Sequence, residues 1–532
     1  MITKRKIHNI IMKFTRNEAI NAVENATEWD IAIIGGGATG LGIAVDAASR
    51  GYKTLLVEKY DFAKGTSSKS TKLVHGGVRY LANGDVKLVL SALKERGLIF
   101  KNAPHVSFVQ SFIIPSYNFF GKMKFLIGLK LYDWMAGKLR IGKSTLLSKN
   151  EVIQKLPKVK QNKLIGGIQY FDGQFDDARL ALNLGQTAHE HGATILNYAE
   201  VTAITKDGNQ IVDGIEFVDR NTGKKHIIKA KSVINATGIF VDDILKLDQA
   251  THKNLVRPSQ GAHIVIDKKF LGNQDALMIP ETSDGRVLFG VPWHDKVLLG
   301  TTDTPLNEHQ IEPRPLEEEI EFILNTANQY LEGAPTRKDV LSVFAGLRPL
   351  AAPTEGDGNS TKEISRDHKL IKSNSDLITI TGGKWTTYRK MAEETVDLAI
   401  KVGKLQIVPC KTTELHIHGY DQTRREGHWQ VYGSDADKIK ALIVEDATLG
   451  EKLHPNFDFI GAEVAWSCRN EMILNVEDFL ARRVRFLLLD AKASLETAPK
   501  VAQIMAKEFN HDQQWIEDQI KNYSKLVDNY TL

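Results

Sequence analysis

The chain has 532 residues, 42% of them hydrophobic and 25% charged, and a formal net charge of +4. This is globular composition on the scale of two to four domains, and so balanced a charge gives no whole-chain reason to expect nucleic acid. Two cysteines without Cys/His metal spacing, and no apolar run near the roughly 18 residues of a spanning helix, argue against a disulfide framework, a bound metal and an integral membrane span.

Residues 1–25 are basic and mildly amphipathic. They read first as an extension ahead of the fold and second as a transit peptide. They lack the apolar stretch and small-residue cleavage site of a secretion signal. Residues 30–34 (DIAII) then form a short β-branched run, the pattern of a buried parallel strand. Gly35, Gly37 and Gly40 spell G-x-G-x-x-G, residues 38–49 have helical spacing, and Gly51 is a fit stop. Residues 54–57 form a second buried strand that ends at Glu58.

Each position suits a dinucleotide. Gly35 makes the tight turn, Gly37 admits a pyrophosphate to the backbone, and Gly40 lets the helix pack on the strand. The helix start at Ala38 and Thr39 offers N–H groups to phosphate. Glu58 accepts from ribose hydroxyls and disfavours a 2′-phosphate. This half-site alone does not separate FAD from NAD.

The stretch "TSSKSTKLVHGGVRYL" (66–81) is dense in hydroxyls and carries His75, Gly76, Gly77, Arg79 and Tyr80. By composition alone it also fits a surface loop. Residues 118–143 set Phe119, Phe120, Phe125, Ile127 and Trp134 among five lysines and Arg140, against one acid, Asp133. A basic, aromatic helix suits an anionic membrane surface, or packs on a neighbouring domain. Residues 231–245 read as a strand ending at Ala236-Thr237-Gly238 and then a helix, a return to the first sheet near the nucleotide. Residues 377–381 form a strand that meets Gly382-Gly383, with a helix starting near Thr386. A second glycine turn at a helix start stabilises the anionic edge of a reduced flavin, which NAD does not need, and so favours FAD. Beyond Thr412 the pattern turns helical and charged, and residues 475–494 read as a strong amphipathic helix.

The segments "GGGATGLGIA", "GTSSKSTKLVHGGVRYL", "FDDARL", "NATGIF", "GTTDTP", "FAGLRPL" and "GGKWTTYRKMAE", in this order, resemble the FAD-dependent respiratory glycerol-3-phosphate dehydrogenases, over about residues 30–400. The resemblance implies an α/β fold. It would have a Rossmann-type FAD-binding domain of the D-amino-acid-oxidase-like (glutathione-reductase-type) superfamily, an antiparallel β-sheet substrate domain and an α-helical C-terminal domain. The expected boundaries are 26–110, 160–255 and 355–402 for the FAD-binding domain, 111–159 and 256–354 for the substrate domain, and 410–532 for the helical domain.

The resemblance also implies roles. Thr66, Ser67 and Ser68 would line the FAD pyrophosphate and ribityl chain. Leu73, Val74, His75, Gly76 and Gly77 would underlie the ring. Val201, Ala236, Thr237 and Gly238, and then Gly383, Lys384, Trp385, Thr386 and Thr387, would complete the cofactor site. Arg79, Arg348 and Lys384, with His75, Tyr80 and Thr386, would bind sn-glycerol 3-phosphate. The phosphate is close to a dianion, and burying it requires cations.

Oxidation to dihydroxyacetone phosphate sends the C2 hydride to FAD N5 and the hydroxyl proton to a base, His75 first and His263 second. Arg348 would also stabilise alkoxide charge. Gln260-Gly261-Ala262 before His263 depart from the family's usual residues, and the segment that marks an oxygen-using oxidase has no counterpart. A membrane quinone is the expected acceptor. The alternatives are an oxygen-using oxidase or an amine or amino-acid oxidase of the same superfamily. The expected location is peripheral, on the inner face of a bacterial-type cytoplasmic membrane, ranked above a mitochondrial one. A homodimer is left open.

Overall fold

The computed structural model describes residues 13–77, 85–282, 285–351 and 368–532. Trp29–Ile34 lies at the centre of the first sheet, parallel to Thr54–Val57 on one side and to Lys225–Asn235 on the other. Thr194–Leu196 continues the sheet in parallel past the former, and Ile378–Gly382 past the latter. His368–Lys372 closes one edge antiparallel. Ile31 to Ile34 and Leu55 to Val57 are buried, as apolar strands of a parallel sheet covered on both faces should be. The helix Ala38–Ser49 packs against both Asp177–Glu190 and Tyr388–Val402, which makes it the buried middle of a helical layer.

The second sheet is mostly antiparallel. Its spine is Val256–Asp267, paired with Val340–Ala351 on one side and with Lys296–Gly300 on the other. Leu288–Trp293 and Ala276–Ile279 follow as a meander. Ala276–Ile279 then joins Ser107–Ser116 in the one parallel pairing among the described residues of this sheet, and Gly166–Phe175 comes next. Leu73–Val74 adds the last strand, on Gln174 and Gly173. Leu73–Val74 and Gly166–Phe175 were expected in the FAD-binding pieces of the chain, yet their hydrogen bonds run in the second sheet. The chain passes back and forth between the two sheets, so chain order alone does not show where one ends.

The C-terminal region is helical, with Ala436–Glu445, Gly461–Asn470, Ala491–Phe509 and Gln513–Val527. Its apolar core also takes in Val265, Leu298 and Phe344 of the second sheet. Residues 475–494 are not the single amphipathic helix expected. Asp478–Arg483 is a wide π-type turn, Arg485 takes a left-handed backbone (φ 64°), Phe486–Leu489 is one short turn, and Asp490 caps a new helix through Ala493 N–H. Residues 478–489 are all buried, so the arginines there face other segments of the protein rather than water.

Candidate active site

One cleft of about 730 Å³ runs from the first glycine turn to the centre of the second sheet. The turn is tightly built. A Cβ at Gly40 would fall 1.9 Å from Gly35 O, so helix and turn meet only without a side chain there. Gly36 N–H donates to Glu58 Oε2 at 2.6 Å, and Tyr60 N–H donates to Oε1 at 2.8 Å. Burial pushes the Glu58 carboxyl up, against these two bonds. Ala38 N–H, at the helix start, donates to Ser67 Oγ at 2.9 Å, which ties the hydroxyl-rich loop to the helix N-terminus.

The far end comes from three places. Gly382 and Gly383 both take positive φ (78° and 73°) between the strand Ile378–Gly382 and the turn Trp385–Thr387. Trp385 Nε1 donates to Ser67 O at 2.8 Å, and Thr386 Oγ1 lies 3.4 Å from His75 O. The second glycine turn therefore bonds directly to the hydroxyl-rich loop that is itself tied to the first. Arg348, on Val340–Ala351, is held by Thr302 O (3.1 Å), Thr301 Oγ1 (3.2 Å), Asp303 Oδ1 (3.3 Å) and Gln260 O (3.4 Å). It keeps a quarter of its side chain exposed to the cleft.

The two histidines differ. His75 is half-buried and lines the cleft. His263 also reaches it but is 2% exposed, stacked on Phe344 at 4.8 Å, with Nε2 2.9 Å from Thr71 Oγ1. Burial, then the Lys72 and Arg348 charges, push its pKa well down, so it stays neutral.

Of the residues expected at the cofactor, Gly35, Gly37, Ala38, Thr39, Glu58, Thr66, Ser67, Leu73, His75, Gly77, Val201, Ala236, Thr237, Gly238, Gly383, Lys384, Trp385 and Thr386 line the cleft. Gly40, Ser68, Val74, Gly76 and Thr387 stand behind that lining. Val74 and Thr387 point into packing, Gly76 N–H donates to Tyr132 Oη, and Ser68 O accepts from Lys72 and Arg485. The substrate residues Arg348, Lys384, Thr386 and His75 come together; Arg79 and Tyr80 lie outside the described residues.

Sequence reasoning missed two groups. Thr301, Thr302 and Asp303 hold Arg348 in place, although "GTTDTP" was visible as a motif. Lys72, Asp177 and Arg485 form a buried ion network that no local pattern signals.

The donor set fits FAD: a side-chain-free turn at a helix start, an acid at the next strand end and a second glycine turn share one cleft.

Residues 30–389 match the FAD dependent oxidoreductase family, and residues 373–516 match the C-terminal domain of alpha-glycerophosphate oxidase. The chain is 38% identical, over 551 residues, to the mitochondrial glycerol-3-phosphate dehydrogenase of Bos taurus, with 96% of this chain and 75% of that one covered. It is likewise 38% identical, over 567 residues, to that of Schizosaccharomyces pombe, with 94% and 87% covered. Among solved structures it is similar to the glycerol-3-phosphate dehydrogenase from Bacillus halodurans complexed with FAD, at TM-score 0.77 and 30% identity over 97% of both chains.

These relatives correct the expected location. Those from Bos taurus and Schizosaccharomyces pombe are named mitochondrial, so a bacterial-type cytoplasmic placement does not stand. Basic and aromatic residues on a helix suit any anionic membrane surface, and so carry no address. No helix among the described residues is long and apolar enough to cross a membrane.

Proposed function

The chain belongs to the FAD dependent oxidoreductases and, within them, to the glycerol-3-phosphate dehydrogenases, and on that premise we propose that it oxidises sn-glycerol 3-phosphate to dihydroxyacetone phosphate in this cleft and passes the electrons to a membrane quinone. The observation that carries the reading is that one cleft joins the glycine turn to His75, Arg348 and Lys384.

FAD, when bound along the two glycine turns, would supply the two-electron oxidant for the secondary alcohol. The protein supplies charge and position. Arg348, Lys384 and Lys369 all line the cleft and bring positive charge to it, which suits the phosphate and the developing charge on the C2 oxygen. Arg79 joins them in this proposal from outside the described residues. Each charge-assisted bond contributes roughly 1.5–3 kcal/mol. His75 takes the hydroxyl proton, and His263 acts through Thr71, holding the segment that precedes His75. Thr386 and Tyr80 complete the substrate contacts in this reading.

The route to quinone is the helix Phe119–Met135. Asn118 caps it by accepting from Gly121 N–H. Phe120 is 87% exposed, and Trp134 (77%), Ile127 (66%) and Phe119 (65%) share its open surface with Lys124 and Lys130. Isolated apolar residues on a surface are ordinary; four on one helix beside lysines suit peripheral attachment to an anionic bilayer.

The test is turnover of the purified flavoprotein with sn-glycerol 3-phosphate and either a soluble quinone or oxygen as acceptor. Quinone reduction equal to substrate consumed, with little peroxide, supports the dehydrogenase reading. Stoichiometric peroxide with no quinone reduction overturns the acceptor assignment.

A further inference from the structure

We propose that Arg485, in the C-terminal helical region, is a positioning residue for the flavin-facing segment 66–75. Arg485 Nη2 donates to Ser68 O at 2.7 Å and to Asp177 Oδ1 at 3.0 Å. Lys72 Nζ reaches the same two residues, Ser68 O at 2.7 Å and Asp177 Oδ2 at 2.8 Å. Asp177 also accepts from Ser70 Oγ at 2.7 Å. The charged ends of all three ionic residues are at most 1% exposed.

The segment is thus pinned at three of its residues from beneath, while Thr66, Ser67, Leu73 and His75 face the cleft. Lys72 has a left-handed backbone (φ 62°), and a lysine holds that conformation only against a firm scaffold. Burial, then the Arg485 charge, lowers the Lys72 pKa to about 7. The neighbouring Arg482 and Arg483 bond to Asp61, five residues ahead of the segment. The C-terminal region therefore reaches this part of the chain at two points, Asp61 and Ser68, across more than 400 residues of sequence. A buried carboxylate shared by two cations costs desolvation and so adds little net stability; in this proposal its contribution is geometric, fixing Ser67 and His75.

The inference rests on the flavin site proposed above. The experiment uses the full-length holoenzyme with Arg485→Gln, Arg485→Lys and, as control, Val501→Ala, which opens a cavity in the C-terminal core. The readouts are the FAD dissociation constant, the visible flavin spectrum, kcat and KM at saturating FAD, and the unfolding midpoint. Arg485→Gln is expected to weaken FAD binding about tenfold, shift the flavin spectrum and lower kcat about tenfold, with KM changed less than about threefold. Arg485→Lys, which reaches only one acceptor, is expected to lose about threefold in FAD affinity and kcat. Val501→Ala is expected to lower the midpoint and leave spectrum, FAD affinity and kcat within about twofold.

Wild-type FAD affinity, spectrum and kcat in Arg485→Gln overturn the proposal, as does Val501→Ala reproducing its losses. If Arg485→Gln gives no folded holoenzyme, Arg485→Lys decides, and wild-type values there overturn it. Wild-type protein that binds no FAD would instead sink the flavin-site reading itself.

Discussion

Gly261 leaves the space that the Arg348 guanidinium occupies: a Cβ at position 261 would fall 2.3 Å from Arg348 Nη2 and 2.7 Å from Thr301 Oγ1. The two residues lie on adjacent strands, with Ser259 opposite Arg348 in the register. Gly261→Ala therefore has to move the guanidinium off Thr301 and Thr302. The expected outcome is a fall in kcat/KM for sn-glycerol 3-phosphate of about 10- to 100-fold, with FAD content unchanged. Steady-state kinetics on the flavin-loaded variant check it.

Arg348 itself carries more. Removing two or so charge-assisted bonds to a phosphorylated substrate costs roughly 3–6 kcal/mol, or about 10²–10⁴ in kcat/KM. Arg348→Ala is expected in that range. Arg348→Lys is expected to recover part of it, since an ammonium keeps the charge and loses the planar fork. Equal activity in Arg348→Ala and wild type would remove this residue from the site.

The histidines make a sharper pair. His75 lines the cleft, whereas His263 is buried, neutral and bonded to Thr71. His75→Gln is expected to lower kcat by about 10²–10⁴, the usual worth of a general base. His263→Gln, which keeps a polar side chain near Thr71, is expected to cost less than about tenfold. The reverse order in pre-steady-state flavin reduction would exchange their roles.

How much of this was legible follows physical range. The helix Ala38–Ser49 and the strand Thr54–Val57 have the bounds read from the sequence, because Gly35, Gly51 and Glu58 punctuate them locally. Arg348 and Lys384 were singled out through the resemblance, in "FAGLRPL" and "GGKWTTYRKMAE", and both line the cleft. Residues 475–494 were misread because their apolar spacing mimics a surface helix. The partners that reverse the reading, Asp61 and Asp177, lie some 300 to 400 residues away. The same holds for the cage around Arg348, where Asp303 is 45 residues distant and is brought near by the tertiary fold.

His418 ties the helix Asp177–Glu190 to the C-terminal region, with Nδ1 2.5 Å from Glu190 Oε1 and Nε2 2.7 Å from Asp435 Oδ2. Burial opposes its charge, but the two carboxylates outweigh burial and hold its pKa up at about 9. A pKa raised by folding stabilises fully below the unfolded value, near 6.5, and the gain is lost as pH rises through 9. The expected outcome is an unfolding midpoint that falls between pH 6.5 and 9, with His418→Gln flattening that slope. Differential scanning calorimetry of both proteins across this range checks it. Equal slopes would assign the loss to other groups.

Phe120 and Trp134 are mostly exposed and have little packing to lose, so Phe120→Ser with Trp134→Ser is expected to leave folding and turnover with a soluble acceptor unchanged. The same variant is expected to release the protein from anionic vesicles in a co-sedimentation assay. Full binding in the double variant would place the membrane contact elsewhere.

The most direct measurement is anaerobic. The purified, flavin-loaded protein is mixed with sn-glycerol 3-phosphate, and the visible spectrum is followed in a stopped flow. The expected result is prompt bleaching of the oxidised flavin bands, with one dihydroxyacetone phosphate formed per flavin. Oxidised bands that persist at saturating substrate, in protein whose flavin dithionite reduces normally, would contradict it and detach this substrate from the cleft that joins Gly35 to Arg348.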